Sequence, residues 1–246
     1  MSLDSRIRRE IPVQQWHAPN PVDTVDSVDT ADSVSVPATA PRPAASAVKR
    51  AVDITGSAAL LTTLGIPMLA LAAWIRLDSP GPALFVQTRV GMSGRHFPFL
   101  KFRSMIDGAE ELREELREEA ADVNGSDSVT FKLEDDPRIT RAGRFLRHFS
   151  LDELPQLLNV LRGDMSLVGP RPHPLDDVER YSPEAMRRLD VKPGITGLWQ
   201  VSGRSDLDWD ESLALDLHYV DHWTPLNDLV LLARTIPAVL RGRGAY

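Results

Sequence analysis

The sequence contains no cysteine. This absence excludes disulfide bonds, thiolate metal sites and a cysteine nucleophile, and it is consistent with a reducing cytosol. Basic charge is not in excess either, because 28 lysines and arginines stand against 35 acidic residues, for a net charge of -7. That balance disfavours a protein whose whole surface binds nucleic acid, whereas the arginines gathered at 138–147 leave a local anion site open.

The first 47 residues lack apolar periodicity, and they lack the apolar core of a signal peptide. They are rich in Asp, Ser, Thr, Val, Ala and Pro, and an aspartate recurs at every third position from Asp23 to Asp32. Such a segment cannot bury enough apolar surface to fold. We therefore predict that residues 1–47 form a disordered acidic tail.

Only one stretch of the chain is both long and free of charge, and it runs from Ile54 to Ile75. Its length suffices to reach across a hydrocarbon core of about 30 Å. Lys49 and Arg50 precede it and Arg76 follows it, which favours a membrane segment over a helix buried in the protein core. Residues 48–77 are therefore predicted to form a membrane helix.

Pro67 lies about two-thirds of the way along this apolar segment. A proline removes one backbone hydrogen bond and clashes with the preceding turn, so a kink is expected there. Two paths fit a kinked helix: a bent transmembrane span, or a helix that breaks at Pro67 and re-enters on the side from which it came. The basic residues at both ends weakly favour the second, re-entrant path.

From residue 78 to residue 246 the composition is that of a globular domain, which we predict to be α+β and mostly helical. Two strands are predicted around a turn at Gly91–Gly94. Helices are predicted at 108–125, 153–162, 174–189, 209–220 and 225–244. The first of these is dense in charge and therefore solvent-exposed. The last is amphipathic and either lies on a membrane surface or packs against the core.

Two adjacent carboxylates, Asp152 and Glu153, stand before an apolar helix in the sequence HFSLDELPQLLNVLRGDMSLVGPRP. Pro155 is tolerated in a first helical turn, so we expect the helix to begin with Asp152 as its N-cap rather than with Ser150. The positive end of a helix favours ionised carboxylates. A plain cap is the usual role of such an aspartate. Asp152 is also a candidate nucleophile toward phosphorus, and Glu153 is a candidate ligand of Mg²⁺.

Cationic residues change the balance between these two roles. Arginines recur at every third position from Arg138 to Arg147, upstream of the carboxylates. Guanidinium groups that converge suit a substrate with several phosphate oxygens, whereas any one of them alone would form a surface ion pair. The residues that we expect to bind phosphate are Lys101, Arg103, Arg147, Arg171 and Arg204.

Three long motifs resemble, in order, those of the bacterial sugar transferase family, the monotopic polyprenyl-phosphate phosphoglycosyl transferases. They are KFRSM, DPRITRAGRFLRHFSLDELPQLLNVLRGDMSLVGPRP and VKPGITGLWQVSGRS. The resemblance runs from about Lys49 to Tyr246 and leaves out only the tail. It is specific, because several long motifs match together.

The resemblance implies an enzyme that acts in two steps. Asp152 would attack the sugar-proximal phosphate of a UDP-sugar, release UMP and hold the phospho-sugar, which polyprenyl phosphate then takes. Glu153 would hold Mg²⁺ as a cofactor. The further positions that match the family's active site are Lys101, Arg147, Arg171, Arg204 and Asp228.

The family's apolar helix is re-entrant and breaks at a proline that matches Pro67, although this chain has Ile66 where a serine commonly precedes it. The resemblance thus implies an inner-membrane protein with its catalytic domain on the cytoplasmic face. The chain resembles the small, minimal-core members of the family. It is similar to members that transfer a hexose 1-phosphate, from galactose or glucose, in exopolysaccharide or capsule assembly. The implied partners are a UDP-sugar, undecaprenyl or a similar polyprenyl phosphate and the lipid bilayer, without nucleic acid and with a homodimer left open.

Two other functions remain open at this point. A hydrolase that forms an aspartyl-phosphate would let water replace the lipid, although the haloacid-dehalogenase signature, Asp-x-Asp after a strand, is absent. A membrane-anchored scaffold would keep the apolar helix but would need no Asp-Glu pair among arginines. Release of nucleoside monophosphate, measured with and without polyprenyl phosphate, separates the three.

Overall fold

The structure is a computed structural model that describes residues 43–109, 112, 136–203 and 207–241. The helices of the described residues are α1 (Pro43–Asp78), α2 (Arg141–His148), α3 (Gln156–Arg162), α4 (Leu175–Val178), α5 (Leu198–Ser202), α6 (Trp209–Asp221) and α7 (Pro225–Arg241). The strands are β1 (Leu84–Val90), β2 (His96–Phe102), β3 (Ser166–Val168) and β4 (Gly194–Thr196). Short 3₁₀ segments lie at Met92–Gly94, Leu151–Glu153 and Ala185–Asp190. The prediction of a mostly helical chain with a small hairpin is confirmed.

The hairpin forms where two strands were predicted, with β1 and β2 antiparallel along their whole length. Its connection requires a glycine, because Gly94 has a φ of +75°, in the left-handed region that other residues rarely adopt. Phe97 and Phe99 are buried on one face of β2. That face of the hairpin covers the core.

β3 and β4 form a second, parallel pair that the sequence did not predict. Each strand has only three residues, too few for an alternating pattern to be recognised. Glycine is needed at the contact, because a Cβ atom on Gly194 would lie 2.1 Å from the nitrogen of Gly169. The pair holds the start of the segment 169–174, which forms part of the cleft described below.

Two clusters of buried side chains hold the domain together. The larger consists of Phe97, Phe99, Leu157, Val160, Met165, Leu167, Val168, Tyr219 and Leu231. The smaller consists of Ile75, Phe102, Ala142 and Leu146. Leu154 packs against both clusters, and Leu151 packs against the smaller one. The turn that carries Asp152 is therefore held by the core on both sides.

α1 packs against the domain near both of its ends. Near its start, Arg50 donates to two carbonyl oxygens at the end of α3, at 2.6 and 2.8 Å. Asp53 accepts from the backbone nitrogen of Leu167 at 2.9 Å. Near its end, Ile75 belongs to the smaller cluster, and Asp78 accepts from a backbone nitrogen in the first turn of α2 at 2.9 Å. Both ends of α1 are thus docked on one domain.

The helical conformation of α1 continues through Pro67, where a break was predicted. A proline removes only one backbone hydrogen bond, so it can bend a helix without ending it. α1 also starts earlier than predicted, so residues 43–47, assigned to the tail, form its first turns. The tail prediction for residues 1–42 lies outside the described residues.

The opposite side of α1 is apolar and exposed. Ile66, Leu69 and Leu77 are 81%, 72% and 87% exposed. Within the described residues, α1 is long and apolar enough to cross a membrane, by length and composition. α7 adds Leu226 and Ile236, which are 69% and 64% exposed. Apolar surface of this extent marks a membrane or partner contact.

The remaining helix predictions had mixed outcomes. The helix predicted at 209–220 is confirmed as α6, and the one predicted at 225–244 is confirmed as α7 over its described residues, 225–241. α7 buries Leu231 in the core while its other side is exposed. The prediction of one helix at 174–189 is wrong: α4 ends at Val178 and a 3₁₀ segment follows at Ala185–Asp190, and between them Pro183 disfavours helical backbone at Ser182. Most of the charged helix predicted at 108–125 lies outside the described residues.

Candidate active site

Asp152 and Glu153 lie in the 3₁₀ turn that precedes α3. α3 begins behind Pro155, so the prediction that Asp152 is the N-cap of this helix is wrong. Ser150 explains the difference, because it adopts the left-handed conformation with a φ of 53° and reverses the chain before the turn. Neither Ser150 nor Asp152 caps α3, which leaves the Asp152 carboxylate for other contacts.

Glu153 is held by an arginine from the segment that follows β3. The Nη1 atom of Arg171 donates to Oε1 of Glu153 at 2.6 Å. The two side chains are only 26% and 18% exposed. A charge-assisted hydrogen bond at this depth is stronger than a surface ion pair, and it fixes the orientation of the carboxylate.

Three cations surround Asp152: Lys101 at the end of β2, Arg147 in the last turn of α2, and Arg171. Burial and the neighbouring Glu153 carboxylate raise the pKa of Asp152, while these three cations act to lower it. The first pair of effects prevails, so the pKa of Asp152 lies above its ordinary value. The structure therefore brings together five of the predicted site residues around one poorly solvated carboxylate.

Lys101 and Arg147 are each oriented by a neighbour. The Lys101 ammonium lies 5.0 Å from the centroid of the Phe85 ring. The Nε atom of Arg147 donates to the Ser104 hydroxyl at 2.9 Å. Burial, followed by the charge of Arg89, lowers the pKa of Lys101 to about 8. Lys101 therefore changes its charge close to physiological pH.

The three cations line a cleft of about 470 Å³. Trp199 and Trp209 form another part of its wall. A concave site of this volume, with convergent charges and apolar faces, suits a small-molecule ligand. Because Asp152 interacts with all three cations, a phosphate bound between them would meet this carboxylate.

Glu153 is the residue at this site that could hold a magnesium ion. The described residues contain no group of three or more His, Cys, Asp or Glu side chains that could hold a metal. Mg²⁺ usually binds one or two carboxylates and completes its shell with water and substrate phosphate oxygens. Glu153, oriented by Arg171, could supply one such carboxylate.

A family model described as bacterial sugar transferase matches residues 44–242, from the start of α1 to the end of α7. The chain belongs to the bacterial sugar transferase family. This match confirms the resemblance that the motifs around Asp152 carry. The same range also covers residues 204–206, where Arg204 lies outside the described residues, so the role of Arg204 stays a prediction.

The sequences of named relatives align with most of the length of this bacterial sugar transferase. It is 49% identical over 198 residues to galactosyl transferase CpsE of Streptococcus agalactiae. The matched region covers 80% of this chain and 43% of CpsE. It is 46% identical over 215 residues to the UDP-glucose:undecaprenyl-phosphate glucose-1-phosphate transferase of Caulobacter vibrioides, covering 84% of this chain and 74% of the relative. It is 41% identical over 205 residues to exopolysaccharide production protein ExoY of Rhizobium meliloti, covering 83% and 91%. The chain thus spans less than half the length of CpsE.

Two further predicted residues of this sugar transferase, Arg103 and Asp228, have their hydrogen-bond partners outside the cationic group around Asp152. Arg103 lines the cleft, but its guanidinium donates to carbonyl oxygens of Ile75, Ser79 and Pro80. It thereby caps the end of α1, where the last carbonyl groups of a helix lack partners. The binding of substrate phosphate by Arg103 stays a prediction.

Asp228 is the other displaced residue. It is 6% exposed and accepts from Lys49 at 2.6 Å, Tyr219 at 2.8 Å and the Trp223 indole at 2.9 Å. None of these partners lines the cleft. Asp228 therefore joins α1, α6 and α7 and is not part of the cationic group around Asp152.

Sequence reasoning missed several residues of the cleft in this sugar transferase. Arg89, His173, Arg188 and Trp209 all line it. Arg89 and Arg188 lie outside the three motifs, and their spacing from the motif residues carries no signal. His173 could have been found, because it follows Arg171 by two residues, and alternate residues of a non-helical segment often face the same side.

Proposed function

We propose that this protein transfers a hexose 1-phosphate from a UDP-sugar to polyprenyl phosphate through a phospho-sugar bound to Asp152. One observation carries this function: the half-buried Asp152 carboxylate lies among Lys101, Arg147 and Arg171 beside a cleft. The names of the relatives support galactose or glucose as the hexose and undecaprenyl phosphate as the acceptor. The name of ExoY supports a place in exopolysaccharide synthesis.

In the first step, an oxygen of the ionised Asp152 carboxylate attacks the phosphorus that carries the sugar. A bond forms between that oxygen and phosphorus, and the bond from phosphorus to the bridging oxygen breaks, so UMP leaves with the electron pair. Lys101 and Arg147 bind the diphosphate and stabilise the charge that moves onto the leaving group. No proton has to move, because the nucleophile is an anion and the leaving group is a phosphate.

In the second step, an oxygen of polyprenyl phosphate attacks the same phosphorus. The bond from phosphorus to Asp152 breaks, and the carboxylate is restored as polyprenyl-diphosphate sugar forms. Because one carboxylate serves both half-reactions, UMP has to leave before polyprenyl phosphate takes the phospho-sugar.

Glu153 is the residue that would hold Mg²⁺. Bound there, the ion would neutralise part of the negative charge of the diphosphate. Arg171 contributes by holding the Glu153 carboxylate in place, as its contact at 2.6 Å indicates. Binding a cation would also explain why a second carboxylate, Glu153, stands beside Asp152 although its negative charge raises the pKa of that nucleophile.

Replacing Glu153 with glutamine should raise the magnesium concentration for half-maximal activity by about tenfold or more. An amide is a poorer ligand than a carboxylate for a hard cation. The measurement is a magnesium titration of UMP release at a fixed UDP-galactose concentration. Glu179→Gln, at an exposed position, is the matched control and should leave the titration unchanged. An unchanged half-activating concentration in Glu153→Gln would contradict the ligand role.

The pKa of Lys101, about 8, predicts how kcat/KM for the UDP-sugar depends on pH. Lys101 is charged below that pH and loses its proton above it, so the diphosphate should bind more weakly as the pH rises. Well above pH 8, kcat/KM should fall by about tenfold per pH unit, because kcat/KM reports the free enzyme. Lys101→Arg keeps its charge and should lack this fall. Identical pH profiles for the two proteins would contradict a binding role for the Lys101 charge.

The membrane path of α1 is also part of this function. Arg50 near its start and Asp78 at its end both contact the catalytic domain, whereas a straight span would separate its ends by about 30 Å of hydrocarbon. We place both ends at the cytoplasmic face of the plasma membrane, where nucleotide sugars are available. The exposed Ile66 and Leu69 would then enter the lipid with Pro67 between them, and the backbone there must be satisfied within the helix or by the protein.

Cysteine labelling tests this path directly, because the natural sequence has no cysteine. Cysteines introduced singly as Ser27→Cys, before α1, and Glu184→Cys, at an exposed position of the domain, should both resist a membrane-impermeant thiol reagent in spheroplasts. Both should react after the membrane is permeabilised. Reaction at position 27 alone in intact spheroplasts would show that α1 spans the membrane.

The proposed transfer is tested by UMP release from UDP-galactose and UDP-glucose. We expect one equivalent of UMP per enzyme without acceptor and sustained release with undecaprenyl phosphate. Sustained release without the lipid would indicate a hydrolase. No release with any UDP-sugar would indicate a scaffold.

A further inference from the structure

The segment 169–174, with the sequence GPRPHP, is held through its carbonyl oxygens. Its residues at 170, 172 and 174 are prolines, which have no backbone N–H to donate. The carbonyl oxygen of Pro170 accepts from the backbone nitrogen of Gly194 in β4 at 2.9 Å. The carbonyl oxygen of His173 accepts from the backbone nitrogen of Val90 in β1 at 3.1 Å. Backbone donors from two strands thus hold both ends of the segment.

Two buried arginines hold the middle of this segment. Nη2 of Arg188 donates to the carbonyl oxygen of Arg171 at 3.2 Å, and Nη1 of Arg89 donates to that of Pro172 at 2.6 Å. Arg188 and Arg89 are only 5% and 9% exposed. Hydrogen bonds from charged donors are stronger than neutral ones, and a low local dielectric strengthens them further. All four consecutive carbonyl oxygens from 170 to 173 are therefore bonded.

Arg188 is itself fixed on several sides. Oδ2 of Asp216 lies 2.9 Å from its Nε atom and 2.6 Å from its Nη2 atom. The Tyr181 hydroxyl accepts from its Nη1 atom at 2.5 Å, and the centroid of the Trp209 ring lies 5.6 Å from its guanidinium carbon. The guanidinium group has a rigid fork geometry, so these partners define its orientation. A buried ion pair contributes little net stability, which favours a role in positioning.

We propose that Arg188 and Arg89 are positioning residues of the transfer reaction, because they fix the backbone of the residue that orients Glu153. Asp216 holds Arg188, and Arg188 holds the carbonyl oxygen of Arg171. The Nη1 atom of Arg171 in turn donates to Oε1 of Glu153 at 2.6 Å. This inference rests on the proposed function, in which Glu153 holds Mg²⁺. Arg188 and Asp216 act on the metal ligand through Arg171 and need no contact with the substrate.

A double-mutant cycle on the magnesium titration of UMP release tests this role. Arg188→Lys keeps the charge, but a single ammonium group cannot replace three guanidinium donors at once. It should raise the magnesium concentration for half-maximal activity by about fivefold or more. In the Glu153→Gln background the same substitution should change that concentration by less than about twofold, because the oriented carboxylate is already absent. Arg187→Lys, at a neighbouring residue with a half-exposed side chain, is the matched control and should leave the titration unchanged.

Hydrogen–deuterium exchange, measured by mass spectrometry, follows the same segment without turnover. Gly194 and Val90 donate their backbone N–H groups to it, so the peptides that contain them report how firmly it is held. Arg188→Lys should speed exchange in these peptides by about fivefold or more, and Arg187→Lys should not. Where Arg188→Lys fails to fold, Arg89→Lys carries both measurements, since it removes the donor to the next carbonyl oxygen.

Three results would overturn the positioning role. The first is an unchanged magnesium titration in Arg188→Lys, and the second is unchanged exchange in the reporting peptides. The third is an equal shift of the titration with and without the Glu153 carboxylate, which would leave Arg188 a structural role only. A natural protein that releases no UMP from any UDP-sugar contradicts the proposed function instead, and the exchange measurement then decides whether Arg188 holds the segment.

Discussion

Replacing Asp152 with asparagine is expected to abolish turnover, by at least about three orders of magnitude, while the fold stays intact. Asparagine has the shape of aspartate, but its amide cannot attack phosphorus. Burial and Glu153 raise the pKa of Asp152, which means that the folded state disfavours the ionised form. Above that pKa the ionised carboxylate lowers stability, so a neutral asparagine should be tolerated or slightly stabilising.

The measurement pairs UMP release from UDP-galactose with the thermal unfolding midpoint of the same preparation. Asp176→Asn is the matched control, because Asp176 is an exposed aspartate in α4 and should keep full activity. Near-normal release by Asp152→Asn would exclude Asp152 as the nucleophile. A large fall in its unfolding midpoint would attribute lost activity to the fold instead.

Asp228→Ala is expected to lower the free energy of unfolding by about 3 kcal/mol, with little change in the KM for UDP-galactose. The substitution removes the acceptor of Lys49, Tyr219 and Trp223 and leaves a largely buried ammonium without its counter-charge. Lys49 keeps the carbonyl oxygen of Val168 at 2.9 Å, which limits the loss. The change should loosen the start of α1 from the domain.

Denaturant unfolding in a mild detergent measures this effect, and the KM is measured on the same protein. Asp221→Ala is the matched control, since its ion pair with Arg187 is 35% to 40% exposed, and surface pairs contribute about 0–1 kcal/mol. A KM raised tenfold at unchanged stability would contradict the structural role of Asp228. That result would support the substrate-binding role that the family resemblance implies.

Local patterns accounted for the parts of the fold that the sequence predicted. The hairpin follows from alternating side chains around Gly91 and Gly94, and α6 and α7 follow from their own periodicity and boundaries. The β3–β4 pair depends instead on a contact between Gly169 and Gly194, distant in sequence. The left-handed conformation of Ser150 could not be predicted from the sequence either, because serine has no strong preference for that conformation.

The candidate site shows the same division. Lys101, Arg147 and Arg171 were chosen by charge type and motif, and the structure places all three near Asp152. Arg103 looked equivalent in sequence, but its partners at the end of α1 are more than twenty residues away. The Lys49 partner of Asp228 lies 179 residues away. Charge type alone cannot distinguish a cation or carboxylate that binds substrate from one that joins helices.

The covalent phospho-sugar on Asp152 is the central claim, and intact-protein mass spectrometry measures it most directly. The protein is mixed with UDP-galactose and Mg²⁺ without polyprenyl phosphate, quenched, and weighed. We predict a gain of one hexose phosphate, located on the peptide that contains Asp152 and discharged when undecaprenyl phosphate is added. UMP release without such an adduct, or an adduct on a different residue, would contradict it.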